Sequence, residues 1–366
     1  MSTCAVAHSC MTDIPATVNR FKDARLPREP TINDIAQLAR VSVGTVSNVI
    51  NGRQSVRDDL VLRVTLAASK LGYRRNLNAA SLRSNQTDTI AVAVPNIENA
   101  FFAEIVSMLE HLGVADRRAV LFLTTGEDEE RARRQIYNLI SRRIDGLILV
   151  PSFDFQPVLP ELRIYGVPVV LLDRVEAKNP LPTVAVDNRQ AGRLGGNHLF
   201  EAGYRQVAFF GHAHEHWILN QRREGFLDAA RAHGALELCS TYELSLDPIE
   251  IRESARRILV GTSRPQAIFA ASNIAAKGVI PAIQSAGLRI PEDIALLVMD
   301  DFEALSLLNP AISVVAQPSS QIADVGWRML RQLIAGEELE AKHVRLPAKL
   351  IVRGSTPPAP NNRKRR

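Results

Sequence analysis

Two hydrophobic periods divide the chain. Between Thr31 and Gly52 apolar residues recur at helical spacing. Ile32, Ile35, Ala36, Leu38 and Ala39 form one face, and Asp34 sits in the first turn, where a carboxylate complements the helix dipole. Arg40-Val41-Ser42 interrupts that pattern. Ser42 suits the N-cap of a second helix with Val46, Val49 and Ile50 as its apolar face, and Asn51-Gly52 ends it. Ser55 to Leu71 predicts a third helix, with Val56, Leu60, Val64, Ala67 and Leu71 on one side and Gly72-Tyr73 as its stop. Two short helices joined by a tight turn, the second opening on small and hydroxylated residues, have the form of a DNA-reading helix-turn-helix.

From Thr89 the period changes to strand-length apolar runs: Thr89–Val94, Val120–Leu123, Gly146–Val150 and Val167–Leu172. Amphipathic stretches separate the first three, at Phe101–Leu112 and Glu127–Arg142, and a shorter segment at Val158–Leu162 precedes the fourth. A second series begins near Asp187. It predicts helix Gly192–Gly203, strand Val207–Phe210, helices Gln221–Arg231 and Pro248–Val260, strand Ala267–Ala271, helix Ile274–Ser285, and strands Ile294–Val298 and Ile312–Val315. Helix Ser319–Ala335 and strands Val344–Leu346 and Lys349–Val352 complete it. Buried strands alternating with helices predict parallel sheets covered on both faces. The expected fold is an all-α helix-turn-helix module followed by an α/β core of two doubly wound subdomains.

Charge sharpens the division. Residues 1–83 carry 12 Lys/Arg against 6 Asp/Glu, the last four residues are all basic, and the bulk between them is mildly acidic. That is the electrostatic layout of a nucleic-acid reader attached to a different kind of domain. No apolar run approaches the roughly 18 residues of a membrane span, and the start of the chain lacks a signal peptide's apolar segment, so a cytoplasmic protein with no membrane partner is expected. Cys4, Cys10 and Cys239 are few and lack metal spacing, in keeping with a reducing compartment.

The first stretch, TxxDIAxLAxVSxxTVSxVxNG, resembles the N-terminal module of the lactose/galactose repressor family of bacterial transcription regulators, and the resemblance runs to about Ser355. It implies that the helix beginning at Ser42 lies in the major groove, with Val43, Gly44 and Asn48 at base-reading positions. Ser42, Thr45 and Ser47 would hold phosphates or cap the helix. Thr31, Asn51 and Tyr73 complete the DNA-contacting set of the module. Val43 and Gly44 offer no base hydrogen bond, which leaves Asn48, an amide suited to adenine, as the main reader. Arg40 stands where the turn often has Gly or Asn. Asn76–Arg83 matches the family's hinge, which becomes helical on DNA, with Asn76 and Ala79 contacting the duplex and Leu82 wedged into the minor groove. A linker with Leu82 packed on the core is the plainer reading.

The same resemblance implies a core built like periplasmic sugar-binding proteins, in which the chain crosses three times between the halves and a ligand binds the intervening cleft. The expected crossings are Asp187–Asn188, Gln317–Pro318 and Lys342–His343. The expected boundaries are a disordered lead over 1–29 (Met11 offers a second start), the DNA-binding domain over 30–75 and the hinge over 76–88. A core follows over 89–355, with a first subdomain at 89–187 and 318–342 and a second at 188–317 and 343–355. A disordered basic tail over 356–366 excludes a C-terminal coiled coil, so a homodimer is expected.

Effector contacts implied by the resemblance are Phe101 and Phe102 as a wall, Asp187, Arg222, Phe269, Asn273 and Asp300. A guanidinium fork, carboxylates and flat apolar faces suit a hydroxyl-rich ligand. His212, His214, His216 and Trp217 follow a strand in GHAHEHW. Three imidazoles at alternate positions suit zinc, or ligand contact through His216 or Trp217, or a solvated loop. Gly192, Gly195 and Gly196 lack dinucleotide spacing, and neither a P-loop nor a Gly-x-Ser-x-Gly elbow is present, so no cofactor and no enzymatic activity are expected. The expected function is an effector-controlled, operator-binding transcriptional regulator, with repression the expected sign. The competing class is a cytoplasmic small-molecule-binding protein or a metal-dependent enzyme using His212, His214 and His216.

Overall fold

A computed structural model describes residues 28, 30–50, 56–73, 86–126, 128–174, 179–212 and 217–359. They fall into two compact units divided between residues 80 and 81. The first holds three helices: α1 (Ile32–Ala39), α2 (Val43–Ile50) and α3 (Asp58–Leu71). Local chemistry fixes each boundary. Thr31 caps α1 through a reciprocal box with Asp34, and Arg40 takes the left-handed conformation (φ 51°) that turns the chain into α2. Gly72 (φ 64°) ends α3. Ile35, Ala36, Ala39, Val46, Val64 and Ala67 form the small shared core.

The second unit contains two six-stranded sheets. In chain order come β1 (Thr89–Val94), α4 (Ala100–Ala115), β2 (Ala119–Thr124), α5 (Glu129–Ser141), β3 (Gly146–Leu149), α6 (Leu159–Ile164), β4 (Val169–Leu172) and β5 (Thr183–Val186). Then follow α7 (Asn188–Glu201), β6 (Val207–His212), α8 (Trp217–Ala232), β7 (Ser240–Leu244), α9 (Pro248–Val260), β8 (Ala267–Ala270), α10 (Asn273–Ser285), β9 (Ala295–Met299), α11 (Glu303–Leu307) and β10 (Ser313–Ala316). Last are α12 (Ser319–Ile334), β11 (His343–Leu346) and β12 (Lys349–Ile351). The sheet orders are β11-β5-β4-β3-β1-β2 and β12-β10-β9-β8-β6-β7, so β1 to β5 correspond in place to β6 to β10. The pairs are parallel except β10 with β12. Apolar clusters cover both faces of each sheet.

The chain passes from the first sheet to the second after β5 and returns after β10, where α12 packs its Ile322, Trp327 and Leu330 into the core of the first subdomain. The third passage differs from the expectation of Lys342–His343. Strand β11 pairs with β5 in the first sheet, His343 opposite Thr183 and Leu346 opposite Val186, so the crossing lies at Pro347–Ala348. Residues 343–346 therefore belong to the first subdomain. Strands β5 and β7 are absent from the expected series: the apolar run in β5, Val184–Val186, is three residues long, and β7, STYEL, has none.

The expected tail also begins too early. Thr356 is buried, its hydroxyl 2.7 Å from Ser313 Oγ and 2.7 Å from His198 Nε2. The Tyr204 hydroxyl donates to Pro357 O, and Ala359 N to Ala202 O, both at 2.6 Å. The run from Thr356 to Ala359 is thus strapped to the second subdomain, and residues 360–366 lie outside the described set.

That strap carries a pH-dependent contribution. Burial holds the His198 imidazole below its ordinary value near 6.5, a shift the Glu201 carboxylate only partly opposes. The unfolded chain takes up the proton at higher pH than the folded one. The stabilisation is therefore complete above about pH 6.5 and is lost as pH falls through that value toward the native pKa. Urea unfolding between pH 7 and pH 5 should show a steeper loss in the parent than in His198→Gln. Equal slopes would remove His198 from the account.

Helices α7 and α8 touch backbone to backbone. A Cβ on Gly192 would lie 1.9 Å from Arg222 O, and one on Gly225 would lie 1.9 Å from Arg189 O. A Cβ on Gly195 would lie 2.6 Å from the Phe269 ring, and one on Gly196 would lie 2.8 Å from Ala229 Cβ. The glycine cluster is a packing device that brings α8 down onto α7, and it carries the root of Arg222 with it.

Candidate functional site

On the first unit, α2 presents its opening turn outward. Ser42, Val43 and Gly44 are exposed, and Thr45, Ser47 and Asn48 are half-buried around the buried Val46. Ser42 Oγ accepts from Thr45 N at 3.1 Å and lies 2.9 Å from the Thr45 hydroxyl, which makes Ser42 the cap. Arg63 Nη2 donates to Ala39 O at 2.5 Å and Arg40 O at 3.0 Å, pinning the turn against α3. Thr31 commits its hydroxyl to Asp34, and Tyr73 is half-buried against the three-helix core. Asn51, Asn76, Ala79 and Leu82 lie outside the described residues.

In the second unit a cleft of about 200 Å³ opens between the two subdomains, at the carboxyl ends of the strands. Phe101 and Phe102, in the first turn of α4, wall it from one side with ring centroids 5.4 Å apart. Asn99 caps α4 by accepting from Phe101 N at 3.0 Å, and the same Oδ1 accepts from Asn273 Nδ2 of the second subdomain at 2.5 Å. Asn99 and Asn273 thus join the halves across the cleft.

Arg222 is the central cation. It is 3 % exposed, donating from Nε to Asn188 Oδ1 at 2.7 Å and from Nη1 to Ala271 O at 2.8 Å. Burial pulls its pKa down, while Asp300 and Asp173 push the other way. Those two aspartates occupy corresponding places, Asp173 after β4 and Asp300 after β9, and both adopt positive φ, 62° and 75°. Left-handed backbone at two non-glycine residues costs on the order of 1 kcal/mol each, and such strain concentrates at binding sites. Asp300 Oδ1 accepts from Gln317 Nε2 at 2.6 Å. Asp173 Oδ1 and Gln317 Oε1 are buried with no hydrogen-bond partner among the described residues. Burial pushes the Asp173 carboxyl up, opposed by Arg222 and Arg174 and reinforced by Asp300. The Arg174 guanidinium lies 5.6 Å from the centre of the Phe102 ring.

Five of the expected effector residues line this cleft: Phe101, Phe102, Arg222, Asn273 and Asp300. Three do not. Asp187 is exposed and caps α7 by accepting from Gln190 N at 2.9 Å. Phe269 is fully buried among Phe209, Phe226 and Gly195, because it sits inside β8, whereas the lining comes from residues beyond the strand ends. Trp217 packs on the core of the second subdomain, under the Arg345 guanidinium at 5.2 Å. His216 and His214 lie outside the described residues. His212 lines the cleft, with Nδ1 2.9 Å from Ser245 O and Nε2 2.6 Å from Ser272 Oγ, so the ring is held by these groups.

Asp173, Arg174 and Asn99 are not among the residues that sequence reasoning singles out, and Gln317 figures there only as a crossing point between the halves. One signal is there: VVLLD at 169–173 and LLVMD at 296–300 share an apolar run ending in Asp. Asp301, beside Asp300, points its chemistry elsewhere, in a two-pronged pair with Arg353 at 2.8 and 2.9 Å.

Comparison with known proteins gives the chain a family and a fold. Residues 31–76 match bacterial regulatory proteins of the lacI family, and residues 197–356 match the periplasmic binding protein-like domain. The ribose operon repressor of Halalkalibacterium halodurans is 30 % identical over 328 residues, covering 89 % of this chain and 97 % of that protein. A LacI family transcriptional regulator from Enterococcus faecalis V583, solved with bound ribose, is 26 % identical, with a TM-score of 0.67 over 74 % of this chain and 100 % of that one. The fold matches that of the lac repressor dimer bound to operator, at a TM-score of 0.80 and 24 % identity over 90 % of this chain and 100 % of that one. The chain belongs to the lacI family of bacterial regulatory proteins and is a DNA-binding transcriptional regulator, not an enzyme.

Proposed function

We propose that this chain represses transcription as a cytoplasmic homodimer, reading a palindromic operator through α2 and answering to a sugar in the cleft. The observation that carries the effector half is the convergence of Asp173 and Asp300, one from each subdomain, on the buried Arg222. Carboxylates and a guanidinium fork between aromatic walls suit hydroxyls, and the ribose-named and ribose-bound relatives agree in ligand class. A ligand that touches both subdomains favours their closed arrangement by its differential affinity, and closure shifts operator affinity in turn. The dimer reading is supported by edge strand β2, where Leu121 and Phe122 are exposed, as is Val114 of α4. An apolar edge of this kind is ordinarily covered. No helix among the described residues is long and apolar enough to cross a membrane.

The test is operator affinity by fluorescence anisotropy, on a duplex selected from a random pool, with and without sugar. Affinity should fall steeply with salt, about 0.9 logarithmic units per decade for each phosphate neutralised. Asn48→Ala should reduce the preference for operator over random duplex by about 1–3 kcal/mol, since Val43 and Gly44 offer no base hydrogen bond. An unchanged preference would remove Asn48 as the reader.

A further inference from the structure

The cleft lining combines aliphatic side chains with charged and polar ones. Ile218 and Leu219, from the first turn of α8, are each 8 % exposed and line it together with Leu246 and Ile274. All four are aliphatic, and the polar side chains that line the cleft near them are engaged elsewhere: His212 with Ser245 O and Ser272 Oγ, and Asn273 Nδ2 with Asn99 Oδ1. The charged groups are Asp173 and Arg174 after β4, Arg222 one turn further along α8, and Asp300 after β9, with Asn96, Asn99, His212, Ser272, Asn273 and Gln317 as the uncharged polar lining. Formal charge balances, two carboxylates against two guanidiniums.

We propose that the cleft takes an uncharged monosaccharide with a deoxygenated end, of the 6-deoxyhexose class. Its hydroxyls sit on Asp173, Arg222 and Asp300, and its methyl group lies against Ile218, Leu219 and Leu246. This inference rests on the sugar-effector reading above and narrows it.

Three observations lead there. Size comes first: about 200 Å³ lies below the roughly 300–1,000 Å³ that drug-sized ligands occupy, so the space fits one sugar ring and not two. Charge comes second. A phosphate or carboxylate on the ligand would upset the balance beside Asp173, whose buried Oδ1 has no partner among the described residues and calls for a hydroxyl donor. The aliphatic wall comes third. A hydroxymethyl group placed against these residues would give up its water hydrogen bonds where His212 and Ser272 are already engaged with Ser245 O, Ala275 N and each other, whereas a methyl group loses nothing and gains burial. Aromatic faces stack on the C–H face of a sugar ring, and Phe101 and Phe102 supply these on the first subdomain.

The experiment is calorimetric titration of the full chain with matched pairs that differ only at carbon 6: L-fucose and L-galactose, L-rhamnose and L-mannose, D-fucose and D-galactose, D-quinovose and D-glucose. D-ribose, glucose 6-phosphate and glucuronate complete the panel. The tightest ligand should be a 6-deoxy sugar, exceeding its 6-hydroxy partner by the roughly 10–200-fold that one group makes in an apolar pocket. Leu246→Asn, of similar volume, should narrow that ratio, and Ile218→Thr gives a second reading should the first variant melt early. Tightest binding by a 6-hydroxy sugar, by ribose or by an anion would overturn the inference while leaving a sugar-responsive regulator in place. Binding of no sugar in the panel, with operator affinity unmoved by all of them, would overturn the sugar-effector reading as well.

Discussion

In Arg222→Ala, operator affinity should no longer change when sugar is added, and calorimetry should detect no sugar binding at concentrations that saturate the parent. In the parent, linkage requires sugar and operator to alter each other's affinity by one common factor, typically about 5–150-fold. Arg222 holds the ligand side of that coupling. Its removal strips the donors from Asn188 Oδ1 and Ala271 O and takes from Asp173 the largest of the guanidinium charges that oppose its burial, leaving Arg174 and Arg345. Truncating one member of a buried charged set costs about 3–5 kcal/mol, so the variant should also melt earlier. Measurements belong well below its melting temperature. Arg222→Lys separates charge from shape: it keeps a cation but cannot form the fork to two acceptors. A sugar response retained at parental strength in Arg222→Ala would mean that the ligand binds elsewhere, with the His212–Trp217 segment the next place to look.

Gly225→Ala should be among the most damaging single-methyl additions in the protein. The new Cβ would lie 1.9 Å from Arg189 O and 2.8 Å from Arg193 N, both backbone atoms of α7. No rotamer change relieves such a clash; the two helices must move apart. Overpacking ordinarily costs about 1–3 kcal/mol, and a backbone-to-backbone clash belongs at or above the top of that range. Gly234→Ala is the control. Gly234 has a positive φ of 63°, and a methyl group added there would meet no atom within 4 Å, so only the left-handed penalty of about 1–2 kcal/mol applies. Thermal melting should separate the two, and Gly225→Ala should weaken sugar binding besides, because Arg222 stands one turn away on the same helix. Equal melting temperatures for the two variants would show that α7 and α8 separate cheaply.

What the chain discloses in advance follows how local the chemistry is. Thr31, Asp34, Arg40 and Ser42 act within a few residues of themselves, so the caps and turn of the DNA-reading module are legible from order alone. The β-strands with long apolar runs are legible too. Strand β5 is not, because its four residues become a strand through pairing with β4 and with β11, some 160 residues later. The third crossing is misplaced for the same reason. Family likeness points to Arg222 and Asp300, which line the cleft, and also to Phe269, which is core. Aromatic character does not reveal on which side of a sheet, or how far before its end, a residue stands. The spacing of the glycines of α7 rules out a nucleotide loop, but their purpose depends on Gly225, which meets them only in space.

The placement of α12 and β11 also orders events on the ribosome. Strands β1 to β5 emerge together, yet the helix and edge strand that finish their sheet are made only after the whole of β6 to β10. At about 5–20 residues per second, the some 130 residues between Val186 and Ser319 take on the order of ten seconds. Through that interval Ile322, Trp327 and Leu330 are not yet there to cover the first sheet. The DNA-reading helices are made before either sheet, and the first subdomain is completed only after nearly all of the second.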